Sequence, residues 1–360
     1  VSSAMVKLGD VINVHYGKAL KADQRVSNGS VHVFGSSGIV GNHDKTLCSY
    51  PTIIIGRKGS VGAITWAPDG GWIIDTAYYV EIKDNNKLDL RYLFYILSGI
   101  DLTKKTITTS IPGLNRDDLY DTFIKLPPFE EQKRIVDLLD KAEGIRQKRE
   151  QAIKLADDFL RATFATMYGN PITNPKKWPV HLMGEIIEFK GGNQPPKSDF
   201  IFEPKQGYIR LVQIRDFKSD KYATYIPQEK AKRIFEVDDV MIARYGPPVF
   251  QILRGLSGSY NVALMKASPK ENIRKGFIFY LLQLPEYHDV VVKNSERTAG
   301  QTGVNLELLN KFNVPLPPIY YQDEILARLA RIEKFKEKIE ISLNHLEMQF
   351  LSLQKRLMGF

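Results

Sequence analysis

Two long stretches of this chain carry apolar residues at spacings of three and four. In the first, Ile135, Leu138, Leu139, Ala142, Ile145, Ala152, Ala156, Phe159 and Thr163 form one stripe. In the second, the stripe is Ile325, Leu329, Ile332, Phe335, Ile339, Leu343, Leu346, Phe350 and Leu353. Sustained over five turns or more, this period predicts two long helices that pair as a coiled coil. Each pattern covers about 40 residues, hence about 60 Å of helix, and is expected to protrude from its domain and pair with its twin. Gly144 interrupts the first pattern, should cost about 1 kcal/mol relative to alanine, and reads as a local bend. Elsewhere the pattern shortens. Apolar, largely β-branched runs at 52–55 and 240–242 predict strands, and the apolar runs at 90–97 and 277–282 predict short buried helices. Strand order does not follow from the pattern.

The pattern also repeats. Residues 113–132 return without a gap as 303–322: Gly113 pairs with Gly303, Asn115 with Asn305, Leu119 with Leu309, Leu126-Pro127-Pro128 with Leu316-Pro317-Pro318, and Gln132 with Gln322. Further back, Leu8-Gly9-Asp10-Val11-Ile12 matches Met183-Gly184-Glu185-Ile186-Ile187, Gly17 matches Gly192, and Ile55-Gly56-Arg57-Lys58-Gly59 matches Ile242-Ala243-Arg244-Tyr245-Gly246. The register shift grows from 175 through 187 to 190, so the second copy holds insertions. Leu-Pro-Pro ends an extended segment and proline is tolerated in the first turn of the helix that follows. Glu130-Glu131 and Asp323-Glu324 then place negative charge at the positive end of each helix dipole. Gly169 fits a helix C-cap, and the prolines of 169–178 make a stiff connector. A chain built twice as "globular segment, then long helix" makes a pseudo-symmetric object, which suits a target of the same symmetry such as duplex DNA.

Composition narrows the class. The chain has 360 residues, 43% hydrophobic and 25% charged, with a single cysteine, Cys48. This is an ordinary globular profile with room for two cores, and it excludes an intrachain disulfide and a multi-cysteine metal site. No apolar run reaches the length of a membrane span, and a reducing cytoplasm is expected. Met5 reads as the natural start. The net charge of +9 is uneven: residues 1–128 hold 14 basic and 12 acidic side chains, and 169–316 hold 21 and 15, while the helical stretches are nearly neutral. A polyanionic partner for the globular parts is the natural inference.

With Leu126-Pro127-Pro128-Phe129-Glu130-Glu131-Gln132, its second copy from Leu316 to Gln322, and the connector from Met167 to Trp178, the chain resembles the specificity subunits of type I restriction–modification systems over nearly its whole length. The resemblance implies an α+β protein: two mixed α/β target-recognition domains at 5–126 and 179–316, with spacer helices at 127–168 and 317–360 forming an antiparallel coiled coil. It also implies that each domain reads one half of a bipartite, asymmetric DNA site with a fixed gap. Two methyltransferase subunits would dock on the helices and bring the restriction subunits. S-adenosylmethionine, ATP and magnesium would belong to those partners, with no cofactor on this chain. The second Arg loop departs from the family's glycine- and serine-rich turn at Pro247-Pro248, which puts its DNA role in question. A protein–protein scaffold and a standalone DNA-binding regulator are the alternatives.

Residues matched between copies should do shared work, folding or holding phosphates. Arg57 and Arg244 fit a phosphate contact or a hydrogen bond to a neighbouring loop, and Gly113 with Asn115, like Gly303 with Asn305, fits a helix-entry turn. Unmatched polar residues are the candidates for base reading: Lys58, Thr106, Thr108, Thr109 and Ser110 in the first copy, and Tyr245, Arg297, Thr298, Gln301 and Thr302 in the second. Trp66, Trp72, Tyr78 and Tyr79 suit packing better than base stacking, and the six histidines lack metal-ligand spacing. No enzyme motif is found. Asn193-Gln194-Pro195-Pro196 has the wrong order for amino-methyl transfer, and Gly56-Arg57-Lys58-Gly59-Ser60 lacks the ending of a phosphate-binding loop.

Overall fold

The structure is a computed structural model that describes residues 4–105, 113–246, 248–295 and 303–358. It divides into two compact units: Val1–Gln151 together with Glu340–Phe360, and Ala152–Ile339. Both are built to one plan. In the first, strand Ala4–Lys7 pairs antiparallel with Phe123–Leu126, and a one-turn helix, Leu8–Val11, leads into the main sheet. That sheet is antiparallel, in the order Ile12–Tyr16, Ala77–Ile82, Thr52–Gly56, Ile64–Ala67. Thr52–Gly56 is buried along its whole length, as its unbroken apolar run requires. A second sheet sets Val31–Gly35 between Gly38–His43 and Trp72–Ile73. Helix Leu90–Gly99 is capped by Asp89, whose carboxylate accepts from the Tyr92 amide at 2.8 Å, and it buries Tyr92, Leu93, Ile96 and Leu97 against the main sheet's core.

The second unit repeats this from Val180–Leu182, paired with Asn313–Pro315, through the one-turn helix Met183–Ile186. Its main sheet has the order Ile187–Gly191, Leu264–Pro269, Val240–Ala243, Ile252–Leu253. The longer stretch before Val240 supplies three strands of a four-stranded second sheet, in the order Tyr225–Pro227, Tyr208–Val212, Gly258–Tyr260, Ile234–Phe235. The matched Gly17 and Gly192 have a steric reason: a Cβ would lie 2.1 Å from the Ile74 carbonyl oxygen in one and 1.9 Å from that of Asn261 in the other. No helix among the described residues is long and apolar enough to cross a membrane.

Two helices of 40 residues each follow the Leu-Pro-Pro punctuation, Phe129–Tyr168 and Ile319–Met358. One buried glutamine ties the start of each to its domain. The Gln132 carboxamide accepts from the Asp89 amide at 2.8 Å and donates to the carbonyls of Lys87 and Pro127 at 2.8 and 2.9 Å. Gln322 repeats this with the Arg274 amide at 2.8 Å and the carbonyls of Asn272 and Pro317 at 2.9 and 2.8 Å. Both side chains are fully buried.

The division into units cuts through both long helices, so neither simply protrudes. In the first unit, Ile135 and Leu139 enter the core together with Phe350 and Leu353, and Arg149 donates to the Ser342 carbonyl at 2.7 Å. In the second, Lys336 meets Asp157 at 2.6 Å and the Tyr321 hydroxyl donates to the Met167 carbonyl at 3.0 Å. Within each unit the paired stretches therefore run antiparallel. The expected stripe needs correction. Leu138, Ile145, Phe159 and Phe335 are exposed, whereas Leu160, Phe164 and Tyr168 are buried. From Ala156 on, burial follows a strict i, i+4 run, which turns Phe159 about 100° away from the core at 3.6 residues per turn. Helix Phe129–Tyr168 also passes through Gly144 unbroken.

Carboxylates on the long helices hold arginine–aromatic stacks. Asp140 accepts from Arg91 at 2.9 Å and from the Tyr95 hydroxyl, and Arg91 lies 4.9 Å from the Trp66 ring centre and 4.8 Å from that of Phe94. Glu333 does the same for Arg254 and Tyr280, with Arg254 3.9 Å from the Phe279 ring centre.

Replacing Gln132 by leucine strands the Asp89 amide and two carbonyls in a buried site, which costs about 1–3 kcal/mol for each unsatisfied group. Hydrogen exchange read by mass spectrometry should show lost protection in helix Leu90–Gly99 and the start of the long helix, with Lys275–Leu281 unchanged. Gln322→Leu should give the reverse. Around Gly144 a Cβ meets nothing within 4 Å, so Gly144→Ala should raise stability by about 0.5–1 kcal/mol in denaturant titration.

Candidate nucleic-acid interface

The loop after strand Thr52–Gly56 places Arg57 and Lys58. Their amides both donate to the Thr76 carbonyl, at 2.9 and 3.1 Å, and the Arg57 carbonyl accepts from the Leu114 amide at 3.0 Å. Lys58 bridges Gly113 in antiparallel fashion, so the Arg loop and the helix-entry turn form one frame. The Arg57 guanidinium lies 5.0 Å from the Tyr16 ring centre and 5.7 Å from that of Tyr78, and it donates to the Asp75 carbonyl at 3.1 Å. The Tyr78 hydroxyl donates to the Leu114 carbonyl at 2.9 Å. Burial, helped by Tyr16 and opposed by Arg57, pushes its pKa up to about 12, so it stays a donor at neutral pH. Lys58 is exposed.

The loop after Val240–Ala243 keeps the frame. The Arg244 amide donates to the Ala263 carbonyl at 2.8 Å, its carbonyl accepts from the Val304 amide at 3.1 Å, and Tyr245 bridges Gly303. Pro247 lies outside the described residues, and Pro248 leaves these bonds intact. The Arg244 guanidinium lies 5.0 Å from the Tyr245 ring centre. The helix-entry reading of the two asparagines holds. The Asn115 side chain caps Arg116–Tyr120 by accepting from the Asp117 amide, and Asn305 caps Leu306–Asn310 by accepting from the Glu307 and Leu308 amides.

Thr106, Thr108, Thr109 and Ser110, like Arg297, Thr298, Gln301 and Thr302, lie outside the described residues. In sequence they run up to Gly113 and Gly303. Trp66 packs under Arg91, and the Trp72 indole donates to the Lys18 carbonyl at 3.0 Å, as expected of packing residues. The sequence reading overlooked Tyr16 and Arg116. Both were open to the rule that unmatched polar residues near the loops are candidates, since Gly191 stands at the place of Tyr16 and Leu306 at that of Arg116.

Several arginines of the two domains are paired with carboxylates, and the loop arginines are not. Arg91, Arg146, Arg210, Arg254 and Arg274 each meet a carboxylate. Among the described residues, Arg57, Arg116 and Arg244 meet none within 4 Å, and the Nε of Arg116 and of Arg244 is buried with no hydrogen-bond partner. Cationic groups held on rigid loops without a counter-ion are equipped to take an external anion. No group of three or more metal-ligating side chains occurs among the described residues.

The two frames differ in slack. A Cβ on Gly303 would come within 3.0 Å of the Tyr245 ring, whereas on Gly113 its nearest neighbour is the Arg57 carbonyl oxygen at 3.7 Å. Gly303→Ala should therefore cost about 1 kcal/mol or more and lower the melting temperature, with Gly113→Ala close to neutral. Equal melting temperatures would show that Tyr245 yields freely.

The model of the family described as type I restriction modification DNA specificity domain matches residues 1–155 and again 175–347. The EcoBI specificity subunit of Escherichia coli, a type I restriction enzyme component, is 22% identical over 336 residues, covering 82% of this chain and 70% of that protein. The MjaVIII specificity subunit of Methanocaldococcus jannaschii is 21% identical over 305 residues, 73% of this chain and 69% of that one. Among solved structures, the S subunit of a type I restriction–modification system from M. genitalium superposes with a TM-score of 0.60 at 16% identity, covering 99% of this chain and 96% of that chain. A structure from work on assembly and conformational transition of the type I system gives 0.57 at 18% identity, with 99% and 97% covered.

Proposed function

Because the chain belongs to the family of type I restriction modification DNA specificity domains, we propose that it is the sequence-reading subunit of a restriction–modification complex. Its two recognition domains, at 5–126 and 179–316, each read one short block of an asymmetric duplex site. The spacer helices at 127–168 and 317–360 set a fixed gap between the blocks. The observation that carries this reading is the loop frame built twice, each copy holding an arginine with no carboxylate partner. Phosphate contacts position a protein on DNA and carry no sequence information, so they suit residues matched between copies. Base reading falls to the unmatched residues: Lys58, Thr108, Thr109 and Ser110 in one domain, Tyr245, Arg297, Thr298, Gln301 and Thr302 in the other.

The chemistry belongs to partners. Two methyltransferase subunits bind S-adenosylmethionine and dock on the long helices, where Leu138, Ile145, Phe159, Phe335, Met348 and Leu351 expose apolar surface that supports a docked partner. Restriction subunits join through them and use ATP and magnesium. The chain itself is non-catalytic and works in the cytoplasm.

Selection from a random duplex pool, with the chain in complex with its methyltransferase, should enrich two short blocks at one gap. Lengthening both helices by two turns should change the gap and spare the blocks. Arg297→Ala with Gln301→Ala should abolish reading of one block only. Uniformly weak, salt-sensitive binding without enrichment would overturn the assignment.

A further inference from the structure

Around Arg57 and Arg244 one backbone frame carries different side chains. In the first unit, strand Ile12–Tyr16 ends on a tyrosine that is 47% exposed. The Arg57 guanidinium lies 5.0 Å from the Tyr16 ring centre and that of Arg116 lies 5.3 Å from it, so the two cations stand within about 10 Å of each other. Arg116 also lies 5.8 Å from the Tyr120 ring centre, and the Tyr120 hydroxyl is itself fixed by the Val14 amide at 2.9 Å. Asp117 and Asp118 follow Arg116 in sequence and the Asp75 carbonyl accepts from Arg57, yet none of the three carboxylates makes an ion pair with either guanidinium. In the second unit Gly191 replaces Tyr16 and Leu306 replaces Arg116. Arg244 lies close over that glycine, with Nη1 3.2 Å from where a Cβ would be, and stacks on Tyr245 instead. Among the described residues, one guanidinium stands where the first unit has two.

Two like charges at one half-buried place repel each other. The negative face of the tyrosine ring attracts both and keeps them together, but it does not neutralise them. An anion with charge spread over adjacent groups does. Guanidinium suits phosphate in particular, through its planar fork of donors, and a DNA strand presents successive phosphates with a rise of about 3.4 Å.

We propose that Tyr16, Arg57 and Arg116 form a two-guanidinium clamp for neighbouring backbone phosphates of duplex DNA in the first domain, and that at the matching place the second domain holds phosphate through Arg244, with Leu306 where the first has Arg116. The two half-sites are therefore gripped unequally. This rests on the DNA-reading assignment above.

The test uses the chain in complex with its methyltransferase and a duplex carrying the selected site. Affinity is measured across a salt series. Arg116→Leu, which installs the residue of the second domain, should flatten the slope of log affinity against log salt by about 1 and leave the preferred bases unchanged. Arg116→Lys keeps the charge and should keep the slope. Methylphosphonate placed at one phosphate at a time should show two neighbouring sensitive positions in one half-site, one of them lost in Arg116→Leu. The clamp is overturned if Arg116→Leu leaves the slope unchanged, if it relaxes one base position instead, or if Arg116→Lys is as flat as Arg116→Leu, which would mark a structural role. Absence of selective binding by the unmodified complex would bring down the DNA-reading assignment itself, and the clamp with it.

Discussion

A buried carboxamide fixes each long helix to its domain, and the rest of the architecture hangs on that joint. Two prolines leave the chain without amide donors where it turns from strand to helix, so the carbonyl of Pro127 needs a donor from elsewhere, and the Asp89 amide at the cap of the short helix needs an acceptor. Glutamine is suited to the task because it accepts at one atom and donates at the other. Glutamate at this fully buried site would set acceptors against two carbonyls and bury a charge. The same bonds reach the carbonyl of Lys87 or Asn272, just before the domain's short helix. The long helix thus begins as a rigid extension of the domain rather than as a tethered rod.

Rigidity at that joint gives the loops their meaning. The sheet that packs against the helix start also ends in the Arg loops, where the amide and the carbonyl of the arginine make matching backbone bonds in both units. Two domain arginines that reach the long helices are neutralised there: Arg91 by Asp140, Arg254 by Glu333. These two arginines come from different parts of their domains, Arg91 from helix Leu90–Gly99 and Arg254 from just after strand Ile252–Leu253, yet each stacks on the domain's Phe-Tyr pair. At the loops the charge is left open.

Much of the frame was legible because it depends on local chemistry. Proline pairs, β-branched runs and capping asparagines act over a few residues, so strands such as Thr52–Gly56 and the entry turns at Asn115 and Asn305 could be placed from sequence. Other features depend on partners far away. Gln132 stood out as a repeated residue, but its role lies in contacts 43 and 45 positions back. The faces of the long helices differ from the sequence pattern at Phe159 and Phe335 because an i, i+3 step in place of an i, i+4 step turns a side chain by about 100°. Gln354 is buried because it reaches the Tyr95 carbonyl, 259 residues away, which no local pattern announces.

The duplication explains why matched and unmatched positions fall as they do. Where two copies must close the same backbone bonds, the side chain is dictated by geometry: glycine where a carbonyl approaches within about 2 Å, asparagine at the cap, glutamine at the joint. Where a side chain only borders the loop, each copy is free to differ. Tyr16 and Gly191, Lys58 and Tyr245, Arg116 and Leu306 all sit at such positions, next to a guanidinium whose own backbone is held constant. Moving the aromatic ring from the strand end in one domain to the loop in the other re-aims the same arginine without disturbing the sheet beneath it. A duplicated frame can in this way acquire two different binding surfaces while each domain keeps the packing on which its stability depends.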